Sequence, residues 1–176
     1  SYVLHVPKAG TGSPRPLVLV FHGGGSNPQG AIRLTGFSEK ADREGFLVAY
    51  PAGSGRLPNV LTWNAGRCCA YAASQNIDDV SFVREMIEDI AVFTPVDRHR
   101  VFATGMSNGG QMSYRLAAEL PDAIAAIAPV AGSLEVPADR VKRPMPVMIF
   151  HGTNDDHLPF AGGIGPCLAA RDPLRG

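Results

Sequence analysis

The stretch that decides the fold is Arg100–Gly110, RVFATGMSNGG. Its first five residues alternate β-branched, aromatic and small side chains as a strand does, and Asn108–Glu119 reads as a helix ended by Pro121. Between the two lies Gly105-Met106-Ser107-Asn108-Gly109, the pattern G-x-S-x-G at a strand-to-helix turn. Such a turn forces its serine into strained dihedrals, and glycines two residues before and two after it remove side-chain clashes. The hydroxyl of Ser107 is thereby presented at the top of a sheet, beside the positive end of the following helix. The pattern in this setting predicts a nucleophile.

Working outward, Leu17–Phe21 (LVLVF), Phe46–Tyr50 (FLVAY), Ile124–Val130 and Pro146–Phe150 (PVMIF) are short apolar runs of the kind covered on both faces. Tyr2–Val6 adds an alternating strand, and helices are expected over Gly36–Glu44 and from Ile77-Asp78-Asp79 onward, where Asp78 or Asp79 can cap free amides. Strands alternating with helices predict an α/β fold: a mostly parallel sheet with helices on both faces and its site at the carboxyl ends of the strands. Residues 51–76 form a Gly-, Pro- and Asn-rich connection of the length that usually carries function. The whole chain, 1–176, reads as a single domain.

Composition narrows the function classes. Of 176 residues 45% are apolar and 18% charged, and 16 basic residues balance 16 acidic ones with no basic block. Nucleic acid is therefore a poor partner. No run reaches the ~18 apolar residues of a membrane span, and no signal-peptide pattern opens the sequence at Ser1. The three cysteines lack metal-ligand spacing, so neither a metal nor another cofactor is implied. Cys68 and Cys69 are adjacent: small buried side chains, a bridge from Cys167 to one of the pair, and a vicinal bridge all fit.

Two further strand ends carry chemistry. After Leu17–Phe21 comes His22-Gly23-Gly24-Gly25. A hydroxyl attacking a carbonyl creates an oxyanion that needs two preorganised N–H donors. Asn108, next to the nucleophile, supplies one, and Gly24, with Gly25 as the neighbouring alternative, supplies the other. His22 precedes the nucleophile and is read as shaping this loop. After Val147–Phe150 comes His151-Gly152-Thr153-Asn154-Asp155-Asp156-His157. An acid at such a place orients a catalytic histidine, with Asp155 the candidate and Asp156 the reserve.

Together these patterns resemble the polyhydroxybutyrate depolymerase and feruloyl esterase-like branch of the α/β-hydrolases. The resemblance rests on YVLHVP (2–7), HGGGS (22–26), TWNAGRCC (62–69), IDDVSF (77–82), GMSNGG (105–110) and HGTND (151–155). It implies an exported, secreted or periplasmic, serine esterase that forms an acyl-enzyme on Ser107 with Asp155 as triad acid. The implied substrates are polyesters, feruloyl or acetyl esters of plant polysaccharides, or small esters. Trp63 and Asn64 would lie near the site, where a substrate-lining role competes, for the single Trp, with core packing.

The family's third triad member, a histidine on a later Gly-rich loop, has no counterpart in this sequence, and residues 164–176 depart from the family pattern. His157 is the one histidine that follows the acid, and it is the candidate base, although two residues on one loop rarely place a base between acid and nucleophile. The competing expectation is a catalytically impaired scaffold without the last strand and helix. Val147–Phe150 would then be a hydrophobic sheet edge through which chains self-associate.

Overall fold

A computed structural model describes residues 1–8, 12–163 and 165. Its strands are β1 (Tyr2–His5), β2 (Arg15–Phe21), β3 (Leu47–Pro51), β4 (Ser54–Leu57), β5 (Val60–Thr62), β6 (Val96–Met106) and β7 (Ala126–Val130). Its α-helices are α1 (Pro28–Thr35), α2 (Phe37–Glu44), α3 (Ala70–Ser74), α4 (Asp79–Phe93) and α5 (Asn108–Glu119). The main sheet has the order β1-β3-β2-β6-β7. All its pairings are parallel except that of β1, which runs antiparallel to β3.

The central strands are apolar on both faces because both faces are covered. On one, Leu17, Leu19, Phe21, Leu47, Val101 and Ala103 pack against α4 and α5 through Val83, Ile87, Ile90, Met112 and Leu116. On the other, Val20, Val48 and Tyr50 meet Ala31 of α1 and Ala41 of α2. This is the doubly covered parallel sheet that two-sided apolar strands require.

Some expected elements shift. Pro28–Thr35 is a helix that the hydrophobic pattern did not announce. Its signal is local: the Asn27 side chain accepts from the Gly30 N–H, and Pro28 occupies the first turn. The connection 51–76 contains the hairpin β4–β5 and the short α3. Asp78, rather than Asp79, caps α4 by accepting from the Ser81 N–H. The run Pro146–Phe150 joins β7 through parallel bridges at Val147 and Phe150 and not as a full strand. Pro129 explains part of this, since β7 has no N–H to donate at that position.

Candidate functional site

Strand β6 ends at Met106 and α5 begins at Asn108, so the whole turn is Ser107, with φ 54° and ψ −121°. The Ser107 N–H donates to Val130 O at 2.9 Å, which ties the turn to the end of β7. The flanking glycines are sterically required. A Cβ on Gly105 would lie 2.6 Å from Phe21 O, and one on Gly109 would meet Phe21 O and come within 2.6 Å of His22 O. Helix α5 thus starts pressed against the end of β2, and Ser107 remains exposed to solvent. Among the described residues no hydrogen bond reaches its hydroxyl.

The glycine loop after β2 lies alongside. A Cβ on Gly23 would be 3.9 Å from Ser107 Cβ, and one on Gly24 would be 3.5 Å from Asn108 Cβ. Gly25, at φ 77°, donates its N–H to Leu61 O. Among the described residues the N–H groups of Gly24 and Asn108 have no such acceptor, which separates Gly24 from its neighbour. His22 is buried beneath the loop, its Nε2 accepting from the Gly53 N–H at 3.1 Å. That contact leaves the proton on Nδ1, which donates to Gly23 O at 2.8 Å. Burial holds the imidazole pKa below its ordinary value, opposed by the bond to Gly23. A neutral, loop-shaping His22 is the outcome.

Trp63 and Asn64 lie inside the protein. Trp63 is 0% exposed and Asn64 is buried, its side chain donating to Ile77 O and accepting from the Gly66 N–H. Of the two expectations for Trp63, core packing is the one its burial matches, and neither buried side chain of this pair presents a face from which to line a substrate. Asn64 is instead a clamped backbone point. Its N–H donates to Asp79 at 2.7 Å, and its carbonyl accepts from Arg115 at 2.5 Å. The Asp79 carboxyl is pushed up to about 6, mainly by desolvation and against the pull of the Asn64 N–H and Arg115. Cys68 and Cys69 form the vicinal disulfide, while Cys167 falls outside the described residues.

On the third strand end, Asp155 Oδ1 accepts from the backbone N–H groups of His157 (3.0 Å) and Leu158 (2.9 Å). These bonds, that from Leu158 foremost, hold its carboxyl below the ordinary range. His151 Nε2 is 3.5 Å from the other oxygen and 2.7 Å from Leu158 O. The His157 side chain is 70% exposed, with Nε2 3.9 Å from the reserve acid Asp156. Asp155 and His157 therefore meet through the His157 backbone. No helix among the described residues is long and apolar enough to cross a membrane.

The chain is similar to known proteins in sequence and in fold. The chain is 35% identical over 166 residues to a putative esterase, NocK, of Nocardia uniformis subsp. tsuyamanensis, covering 92% of this chain and 47% of that protein. It is 35% identical over 139 residues to feruloyl esterase B of Piromyces equi, covering 76% of this chain and 25% of that one. The chain thus spans about half, or less, of the curated relatives it matches. Among solved structures, an acetyl xylan esterase from Aspergillus awamori superposes with a TM-score of 0.61 at 19% identity, covering 79% of this chain and 50% of that one. That likeness carries the α/β-hydrolase fold. The profile of the family described as Esterase PHB depolymerase matches residues 1–160, and the chain belongs to that family.

Proposed function

We propose that the chain is a carboxylic ester hydrolase working through an acyl-enzyme on Ser107. One observation supports this above the others: an exposed serine at a strained strand–helix turn, with the N–H groups of Gly24 and Asn108, unpaired among the described residues, beside it. Ser107 Oγ attacks the ester carbonyl carbon while a base takes its proton. The carbonyl oxygen becomes an oxyanion accepting from Gly24 and Asn108. The C–O bond to the alcohol breaks, the alcohol leaves with a proton, and water releases the acid by the same route in reverse. Asp155 is the triad acid and His157 the base in this reading. The relatives' names point to acetyl or feruloyl esters, and the family description to polyesters. Export to an oxidising compartment belongs to the same reading and agrees with the Cys68–Cys69 bridge.

A second reading, an impaired scaffold, is favoured by Asp155: one of its oxygens is taken up by the amides of its own loop. Hydrolysis of a short-chain nitrophenyl ester, with Ser107→Ala and His157→Ala alongside, separates the two. Turnover lost in Ser107→Ala supports the esterase, and the His157 variant reports on the base. Wild-type rates at the level of the buffer blank support the scaffold. Without a triad member, roughly 10³–10⁴-fold catalysis over water is what an oxyanion hole and binding retain.

Self-association through the sheet edge is proposed on the same footing. Val147, Met148, Ile149 and Phe150 are all exposed. The Met148 and Phe150 N–H groups face β7, so those of Val147 and Ile149 point outward. Light scattering that shows oligomers, lost on Ile149→Lys, would support this edge.

A further inference from the structure

We propose that Trp63 is a positioning residue that sets the spacing between the two oxyanion-hole donors; the proposal rests on the reading of Ser107 as nucleophile. The two donors come from different strand ends, Gly24 after β2 and Asn108 after β6, and the pairing of β2 with β6 ends at Phe21 and Gly105, before either of them. Beyond that point their separation rests on the contact of α5 with the end of β2 and on side chains that bridge the two turns, and it matters because a donor acts only when about 2.7–3.1 Å from the oxyanion. Trp63 contacts both sides at once.

Toward α5, its backbone N–H donates to Asn108 Oδ1 at 2.7 Å, and its carbonyl accepts from Asn108 Nδ2 at 3.1 Å. The Asn108 side chain is thereby paired with Trp63 as one strand residue pairs with another. Toward β2, the indole Nε1–H donates to His22 O at 3.0 Å. The indole also stands edge-on to Phe21, with ring centroids 5.1 Å apart, and 4.9 Å from the His22 ring. His22 passes the constraint on through Nδ1 to Gly23 O, one residue before the donor. A run of hydrogen bonds, linked through the Trp63 and His22 residues themselves, therefore joins one donor residue to the peptide group that carries the Gly24 N–H, and Trp63 is its middle link. Its complete burial means that water cannot replace the indole bond if that bond is lost.

The bond can be removed with little change of shape, because the chain has one tryptophan. Residue-specific replacement of Trp63 by 3-benzothienylalanine puts sulfur in place of N–H, and 5-fluorotryptophan retains the N–H as control. Trp63→Phe is made as the genetic variant. The readouts are nitrophenyl ester kinetics and inhibition by a boronic acid that forms a tetrahedral adduct with serine, using wild type and Ser107→Ala as references. Loss of a whole oxyanion donor costs about 10²–10³ in kcat, so displacing one is expected to cost roughly tenfold, with KM within about threefold. The boronate Ki should rise in parallel with the fall in kcat/KM, and the fluorotryptophan protein should match wild type.

Unchanged kcat in a folded benzothienylalanine protein would overturn the proposal and leave Ser107 untouched. So would a rise in KM alone. Absence of Ser107-dependent turnover in the wild-type chain would overturn the underlying reading and the proposal with it.

Discussion

Replacing Asp79 by Asn should make the protein more stable at neutral pH. Asp79 is 2% exposed, and its carboxyl is pushed from the ordinary 3.8 to about 6, chiefly by desolvation. At about 1.4 kcal/mol per pH unit, the folded environment disfavours the charged form by about 3 kcal/mol. The sign follows from proton binding. Between pH 4 and 6 the folded state holds the proton more tightly than the unfolded chain, so Asp79 contributes stability at acid pH that is lost as pH rises through about 6. Asparagine cannot ionise, and its Oδ1 can still accept from the Asn64 N–H. Position 79 opens α4, where loss of a negative charge costs ~0.3–1 kcal/mol. The net expectation is a gain of about 2 kcal/mol at pH 7 and little difference at pH 4. Urea denaturation of both proteins at the two pH values reads this directly. A variant less stable than wild type at pH 7, with the difference unaltered at pH 4, would refute the reasoning.

Three other expectations follow from the packing and charge described. Gly109→Ala drives a Cβ into the Phe21 and His22 carbonyls. It should cost about 1–3 kcal/mol or more in urea denaturation and remove ester hydrolysis; an active, equally stable variant would count against the close approach of α5 to β2. For His22, burial depresses the pKa, so its contribution is present above about pH 6.5 and is lost as pH falls below that. Melting curves from pH 8 to 5 in the Asp79→Asn background, free of the opposing slope from Asp79, should show a falling Tm, and a flat profile would contradict a neutral buried imidazole. Asp79→Ala, unlike Asp79→Asn, leaves the Asn64 N–H unpaired and should be about 1–3 kcal/mol less stable than the Asn variant.

The parts of this molecule legible in the sequence are those governed by short-range rules. The turn at Ser107 announces itself because its close packing against the end of β2 demands glycine at 105 and 109, and α5 runs over the residues its pattern predicts, Asn108–Glu119. The central strands are equally plain, since two-sided burial leaves a continuous apolar run in Leu17–Phe21 and Leu47–Tyr50. What the pattern hides depends on distant partners. For Trp63, on a long loop, the pattern leaves rim and core both open, and it takes Asn108 and His22 O, far away in sequence, to hold it inside. The choice between Gly24 and Gly25 needs Leu61, an acceptor on another strand. Helix α1 escapes a search for apolar periodicity because just two of its residues, Pro28 and Ala31, are buried. Its Asn-Pro start was the available signal.

The most direct test of the central claim is mass analysis of the chain after exposure to a fluorophosphonate, followed by peptide mapping. A single covalent adduct is expected on the peptide carrying Ser107, absent from Ser107→Ala. A wild-type chain that takes up no adduct, or one labelled elsewhere and equally in Ser107→Ala, would contradict it.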